Sequence, residues 1–419
     1  MSKRRHIIIG AGPAALSAVD MIRSLNREDE IKVVSKEKAL PYCPAILPYL
    51  LAGRTTEGNI WLRKEDFFRK MDVDFVGGKE VVKVSPEDRR VVYGDGTVDQ
   101  YDRLLVAAGA EPISSAAEGL GKDDILRFHT LEDYRRLNEL LASHGEVTIL
   151  GAGLVAVELA MALVERGKKV KVIGRGRPLR AYFDEQAGAY LSNILLSQGV
   201  EITIGKSVRE IKKQGRGLEV HCAEGDVFPT ELLVSCMGVR PRLSFVHGSG
   251  LGTNQGILVD SRMRTNLEGV YAAGDIAEAL SAFDNRPGVS AILPNALAQG
   301  RIAGANMAGE DRAYQGWLSM NVLKMFGNSS FSIGTAMPPA GEGEVLEEKD
   351  DKKQSLKRLV TKGKELIGAM FINVDLDPGV IKYLIEKRVD ISACKEALFA
   401  RPKETSRWLM LKSEKDSAI

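Results

Sequence analysis

The chain carries one glycine-rich turn twice: HIIIGAGPAA, with Gly10, Gly12 and Ala15, and VTILGAGLVAVELA, with Gly151, Gly153 and Ala156. Each turn follows a short β-rich apolar run, Ile7–Ile9 and Val147–Leu150, and leads into a helical pattern. That setting makes G-x-G-x-x-G/A a dinucleotide fingerprint. The first glycine permits the tight strand-to-helix turn, and the second lets backbone N–H groups approach a diphosphate. The third small residue keeps the helix against its strand, so that its positive N-terminus faces the phosphates. One copy is weak evidence. Two copies about a domain apart predict tandem α/β domains holding two dinucleotides, a flavin and a nicotinamide.

Length and composition limit the alternatives. A chain of 419 residues suggests two to three domains. Its 58 basic and 56 acidic residues are interspersed and leave a net charge of +2, so no nucleic-acid surface is expected. The start, MSKRRHIIIG, has too few apolar residues for a signal-peptide core. The apolar stretch Val147–Val164 contains Glu158 and the fingerprint glycines, so it reads as strand, turn and helix and not as a membrane span. Four scattered cysteines, Cys43, Cys222, Cys236 and Cys394, suit a reducing cytoplasm and lack metal or iron–sulfur spacing. The expected location is therefore cytoplasmic, and no metal site is expected.

Along the chain, the first unit reads as strand Ile7–Ile9, helix Pro13–Leu25, strand Ile31–Val34 and a proline-punctuated loop from Leu40 to Gly53. A polar hairpin turning at Asp95-Gly96 follows, then an apolar strand ending in Ala108-Gly109. The second unit continues through strands at Val170–Ile173, Val200–Ile204 and Leu232–Ser235, the last ending in Gly238-Val239-Arg240-Pro241. The segment Gly269–Asp275 reads as a buried strand delivering a carboxylate at its end. Beyond Trp317, a charged bridge, Glu342–Lys353, precedes a hairpin of Leu356–Thr361 and Glu365–Ile372. Asp377 then caps a short helix with Pro378 in its first turn and Ile381, Leu384 and Ile385 on one face.

With both fingerprints, the LLVAAGAEP strand and the TNLEGVYAAGD segment in that order, the chain resembles the pyridine nucleotide-disulfide oxidoreductase flavoproteins over essentially its whole length. The resemblance implies two Rossmann-like dinucleotide-binding domains of the three-layer ββα type, plus an α+β C-terminal interface domain. It places an FAD domain at 1–112 and 252–312, an NAD(P) domain at 113–251 and the interface domain, a possible homodimer contact, at 313–419. The residues it implies for FAD are Gly10, Gly12, Pro13, Ala14, Ala15, Ser35, Glu37, Val81, Ala108, Gly109, Asp275, Asn295 and Ala296. Asp275 would hold the flavin side of FAD, and a helix beginning at Leu293-Pro294-Asn295-Ala296 would point its N-terminus at the flavin. For NAD(H) or NADP(H) it implies Gly151, Gly153, Leu154, Val155, Ala156, Glu158, Arg175, Arg177 and Gly238. Glu158, seven residues after Gly151, matches a glutamate that fixes the nicotinamide end.

Two departures from the family pattern are informative. The ribose carboxylates are expected about 20 residues beyond each fingerprint. After the first, Val33-Val34 ends in the neutral Ser35, leaving Glu37 as the charged acceptor. After the second, Val172-Ile173 ends in Gly174, followed by Arg175, Gly176 and Arg177, which reopens the choice between NAD and NADP. The second departure concerns thiols. No C-x4-C occurs, and Cys43 lies two residues before Ala45, the position that carries the cysteine of coenzyme A-disulfide reductases. In an extended loop that shift moves the sulfur about 6–7 Å, so Cys43 is expected to be a packed loop cysteine. All five histidines precede the C-terminal domain, so the His-Glu pair of dithiol members is absent.

Without a thiol relay, the expected chemistry is hydride exchange between nicotinamide and flavin, with electrons leaving elsewhere. The loop Pro41–Tyr49, the charged bridge and the tail Ser392–Arg407 resemble the flavoprotein subunits of anaerobic complexes, such as phenylglyoxylate dehydrogenase and tungsten aldehyde oxidoreductase. The expected partner is an iron–sulfur subunit. The alternatives are a stand-alone rubredoxin or ferredoxin reductase, an NADH oxidase or CoA-disulfide reductase-like enzyme using Cys43, and a non-enzymatic flavin-bound redox sensor or scaffold.

Overall fold

The computed structural model describes residues 3–113, 125–215, 217–283 and 285–417. They divide into two compact units, the first formed by described residues of 3–113, 129–136 and 238–317 and the second by those of 125–128, 137–237 and 318–417. The architecture is α/β, with a Rossmann-like parallel sheet in each unit.

In the first unit the fingerprint strand Arg5–Ile9 lies at the centre of five parallel strands. Glu30–Ser35 and Val73–Gly77 flank it on one side, and Arg103–Val106 and Val270–Ala272 on the other. The second unit repeats this plan. Glu146–Leu150 is central, between Lys169–Gly174 with Glu201–Ile204 and Leu232–Ser235 with Leu126–Arg127. Each central strand is followed by its helix, Pro13–Leu25 or Leu154–Glu165, and each sheet is interrupted by a three-stranded antiparallel excursion. The chain therefore leaves the central strand to one neighbour and returns on the other. That reversal opens a crevice at the carboxyl end of the strand, where the glycine turn sits. Strands covered on both faces must be apolar throughout, and Ile7, Ile8, Leu104, Leu105, Val147 and Ile149 are fully buried.

The rest of the second unit is a five-stranded antiparallel sheet in the order Met320–Met325, Asn328–Gly334, Glu365–Ile372, Ser355–Lys362 and Glu344–Asp350. The helix Pro378–Glu386 packs on it, with Asp377 accepting from the Gly379 N–H at 2.8 Å as the sequence predicts. The buried Arg358 guanidinium joins this sheet to the second nucleotide fold by bonding Glu347 and Asp184, the N-cap of helix Glu185–Ser197.

Three local expectations are corrected. The charged bridge Glu342–Lys353 contains a strand, Glu344–Asp350, at the sheet edge. Its charges suit an exposed edge and alternate against the neighbouring strand, where Glu347 faces Arg358 and Glu348 faces Lys357. The loop Leu40–Gly53 contains a 3-10 turn, Pro44–Ile46, and a helix, Leu47–Leu51. Pro44 and Pro48 stand in first turns, where the missing N–H is harmless, while Leu47, Leu50 and Leu51 are buried at helical spacing. The polar excursion is three strands, Val81–Ser85, Arg90–Tyr93 and Val98–Gln100, so a second turn precedes the one at Asp95-Gly96.

Candidate functional site

The two glycine turns are built alike. Gly10 has φ +103° and Gly151 φ +112°, both in the region that disfavours a side chain. A Cβ on Gly10 would stand 2.2 Å from the Ala107 carbonyl oxygen, and one on Gly151 would stand 2.3 Å from that of Cys236. Both oxygens lie just beyond the returning strand, so in each fold the turn is pressed against the chain at the point of reversal. Gly12 and Gly153 behave differently. A Cβ on either would meet nothing within 4 Å, and each is the N-cap of its helix without a side-chain cap. A bare helix N-terminus facing open space fits a diphosphate, whose oxygens would take up the uncapped N–H groups. Pro13 opens the first helix, and Ala14 and Ala15 are buried behind the turn. Leu154 is half-buried and Val155 exposed, while Ala156 is fully buried.

Around the first turn the structure gathers most of the residues expected there. Ser35 ends strand Glu30–Ser35, and Glu37 stands two residues beyond it. Val81 is buried at the start of its strand, and Ala108 with Gly109, at φ +67°, follows Arg103–Val106. Asp275 is half-buried behind Val270–Ala272, and burial pushes its carboxyl up. No hydrogen bond joins it to another described residue, so the carboxylate is available to a ligand.

The helix Leu293–Met307 fixes this neighbourhood through residues that the motifs did not reveal. Cβ atoms on Gly300 and Gly304 would stand 2.1 Å from the Ala14 oxygen and 2.5 Å from the Ala18 oxygen, so this helix and Pro13–Leu25 touch backbone to backbone. Buried Gln299 accepts from the Gly274 N–H at 2.8 Å and holds the turn that carries Asp275. The G-x-x-x-G spacing of Gly300 and Gly304 was the available signal; nothing marked Gln299. Asn295 and Ala296 are buried in the first turn of this helix, with the Asn295 amide donating to Ser290 at 2.8 Å.

Cys43 lies at the edge of the same neighbourhood. Burial pushes its thiol up; the Ala45 N–H opposes this in part, and the nearby Asp275 charge adds a smaller upward push. Such a thiol stays protonated and is a poor nucleophile. Because Ala45 lies in the 3-10 turn, the extended-loop displacement of about 6–7 Å does not hold. Two residues of 3-10 helix advance about 4 Å and rotate about 240°.

Around the second turn, Glu158 is half-buried on the fingerprint helix, and desolvation alone raises its carboxyl to about 7. Gly174 ends strand Lys169–Gly174, and a Cβ there would press on Ala152 at 3.1 Å, so the missing ribose carboxylate has little room. Arg175 is exposed. Arg177 turns away from solvent and donates to the Phe183 carbonyl at 2.5 Å, lying against Gly188. The exposed Arg180, absent from the sequence reading, lies over Gly176, with Cδ 3.0 Å from an ideal Cβ there. Gly238, at φ +112°, belongs to the first unit, where its carbonyl accepts from Ile113 at 2.9 Å.

The sequence profile described as pyridine nucleotide-disulphide oxidoreductase matches residues 4–300. The chain belongs to this family. It is 33% identical over 414 residues to the epsilon subunit of NADH-dependent phenylglyoxylate dehydrogenase from Aromatoleum evansii, with 97% of each chain covered. It is 27% identical to the NADH-rubredoxin oxidoreductase of Clostridium acetobutylicum, over 80% of this chain and 82% of that one. Among solved structures, a ferredoxin reductase from Rhodopseudomonas palustris superposes with a TM-score of 0.81 at 24% identity, covering 88% of this chain and 91% of the other. Putidaredoxin reductase, in a covalent complex with putidaredoxin, gives 0.84 at 21%, covering 93% and 94%. Like its family, the chain is an FAD-dependent NAD(P)H oxidoreductase. No described helix is long and apolar enough to cross a membrane, and the described residues contain no cluster of metal-ligating side chains.

Proposed function

We propose that the chain is the flavoprotein subunit of a multi-subunit complex, relaying electrons between an iron–sulfur partner and NAD(P). One observation carries this reading: the likeness to a subunit of an NADH-dependent dehydrogenase complex covers 97% of both chains. The protonated Cys43 thiol supports it, because a disulfide relay needs a thiolate. The first turn, with Asp275 and the Asn295 helix, is assigned to FAD, and the second, with Glu158, to the nicotinamide. Bound together, the two cofactors supply hydride exchange and the division of its electron pair into single transfers. The protein holds the diphosphates at the bare helix N-termini and the flavin side at Asp275. This reading assigns 1–112 and 252–312 to FAD, 113–251 to the nicotinamide and 313–419 to the interface, the last two lying mostly in the second unit.

Purification of the tagged chain from its native host tests the assignment. A stable FAD-containing complex that oxidises or produces NAD(P)H only when whole is the expected result; a fully active isolated subunit overturns it. The rubredoxin reductase relative favours one second reading, a stand-alone reductase, and that reading predicts the overturning result. Cys43→Ser should leave NAD(P)H turnover within about twofold, as an unionised thiol contributes little. Loss of disulfide or oxygen turnover in that variant would restore the thiol mechanism.

The nicotinamide site takes a 2′-phosphate through exposed Arg175 and Arg180, with Arg177 structural. Arg175→Ala and Arg180→Ala should each raise KM for NADPH about tenfold, the loss of one charge-assisted contact, and change that for NADH less than twofold. Arg177→Ala should leave the NADPH/NADH ratio unchanged. Equal effects on both cofactors would refute the assignment.

A further inference from the structure

Glu37 stands beyond the strand next to the first fingerprint, where a carboxylate would meet the ribose of the adenosine half of FAD. Its surroundings hold it in one orientation. The Tyr42 hydroxyl lies 2.7 Å from Glu37 Oε2, and the Leu131 backbone N–H donates to the same hydroxyl at 2.7 Å. These two bonds fix the direction of the chain. An N–H can only donate, so the phenol oxygen accepts from Leu131 and its single proton goes to Glu37.

The donor is available for a structural reason. Leu131 opens the helix Leu131–Leu140, and Thr130 and Asp133 form a capping box over that end. Asp133 accepts from the N–H groups of His129 and Thr130, at 3.1 and 2.9 Å, and its own N–H donates to Thr130 at 3.1 Å. The Leu131 N–H is left over and passes to Tyr42. Because it stands at the positive end of a helix, it polarises the hydroxyl toward the carboxylate. Arg135 on the same helix pairs with Glu57 and closes the segment onto the loop after Tyr42.

Tyr42 is itself packed in place. It is 6% exposed, its ring meets Trp61 edge-on at 6.5 Å, and the backbones of the two residues form a bridge. Burial and the Glu37 charge both keep its proton in place. Of the neighbouring lysines, Lys36 pairs with Glu80 at 2.7 Å and the aliphatic stem of Lys38 lies against Gly78. Among the described residues, Glu37 Oε1 receives no hydrogen bond and no lysine or arginine pairs with the carboxylate. One oxygen is held and the other is open.

We propose that Tyr42, anchored by the Leu131 N–H, is the positioning residue that presents Glu37 to the adenosine ribose of FAD. The proposal rests on the assignment of the first turn to FAD. It explains a loop that the family thiol no longer requires: Pro41–Cys43 delivers a phenol to the ribose carboxylate. A geometric role of this kind affects only ligands that carry the adenosine half.

The test compares FAD with FMN, which has the flavin but not the adenosine. Deflavinated protein is titrated with each, following flavin fluorescence, for wild type, Tyr42→Phe, Glu37→Gln and the double variant. Tyr42→Phe should weaken FAD about tenfold and FMN less than twofold, the scale of one misdirected hydrogen bond to a charged group. In the Glu37→Gln background, Tyr42→Phe should cost FAD binding less than twofold more. General loosening of the fold would weaken both flavins alike. Equal losses, no loss, or additive losses in the double variant overturn the proposal. Failure of the wild-type protein to bind FAD would instead overturn the site assignment beneath it.

Discussion

Gly10→Ala should yield protein without flavin, whereas Gly151→Ala should keep its flavin and lose the ability to reduce it with NAD(P)H. The two substitutions create the same fault in two places. Each puts a methyl group on backbone with φ above +100° and within 2.4 Å of a carbonyl oxygen, Ala107 in one fold and Cys236 in the other. Strain at such a φ costs about 1–3 kcal/mol before the clash is counted. The clash can be relieved only by moving the turn off the returning strand, which carries the helix N-terminus away from the diphosphate. A loss of about 3 kcal/mol is about a hundredfold in affinity or rate. Visible absorbance of the purified variants reads out flavin content, and anaerobic mixing with NADH or NADPH reads out reduction. Dithionite should still reduce the Gly151→Ala flavin, which separates a lost nicotinamide site from a damaged flavin. If both variants lost flavin to the same extent, assigning one cofactor to each turn would be wrong.

These glycines were also the most legible part of the molecule. Gly10, Gly12, Gly151 and Gly153 impose backbone conformations that few other residues can adopt, so spacing alone announced the strand, turn and helix around them. The apolar runs were equally readable, because strands buried on both faces admit only residues such as Ile7–Ile9 and Leu104–Val106. Legibility failed where tertiary context supplies the reason for a residue. Glu344–Asp350 is a strand because Ser355–Lys362 offers it a partner and opposite charges, and its own composition resembles a solvated linker. Leu47–Leu51 is a helix although prolines surround it, because proline is disruptive only beyond the first turn. The sequence neighbours of Arg177 suggest a phosphate ligand, whereas the fold gives its guanidinium the Phe183 carbonyl and leaves Arg180 exposed over Gly176. Gln299 and Tyr42 act on groups 25 and 5 residues away through single hydrogen bonds, which leave no periodic trace in a sequence.

Glu158→Gln should remove most of the pH dependence of flavin reduction near neutrality. The wild-type carboxyl lies on the second fingerprint helix, is raised to about 7 by desolvation and has no partner among the described residues. It therefore changes charge inside the working range. An ionised carboxylate close to the nicotinamide favours the positive charge that develops as hydride leaves, so kcat/KM for NAD(P)H should rise about tenfold between pH 6 and pH 8. Glu158→Gln, equal in size but without charge, should stay flat at the low-pH level. Stability supplies an independent check of opposite sign. The folded-state pKa lies above the ordinary value of 4.5, so the folded protein holds this proton more tightly than the unfolded chain. The associated stability is fully present below pH 4.5 and is lost as pH rises through 7. The whole interval corresponds to about 3.4 kcal/mol. In denaturant titrations without nicotinamide, Glu158→Gln and wild type should be equally stable at pH 4.5, and the variant more stable at pH 8.5. A variant that is less stable at high pH would mean that the wild-type carboxylate is paired, and the kinetic argument would fail with it. A gain in stability together with a loss of turnover is the signature of a buried charge retained for function.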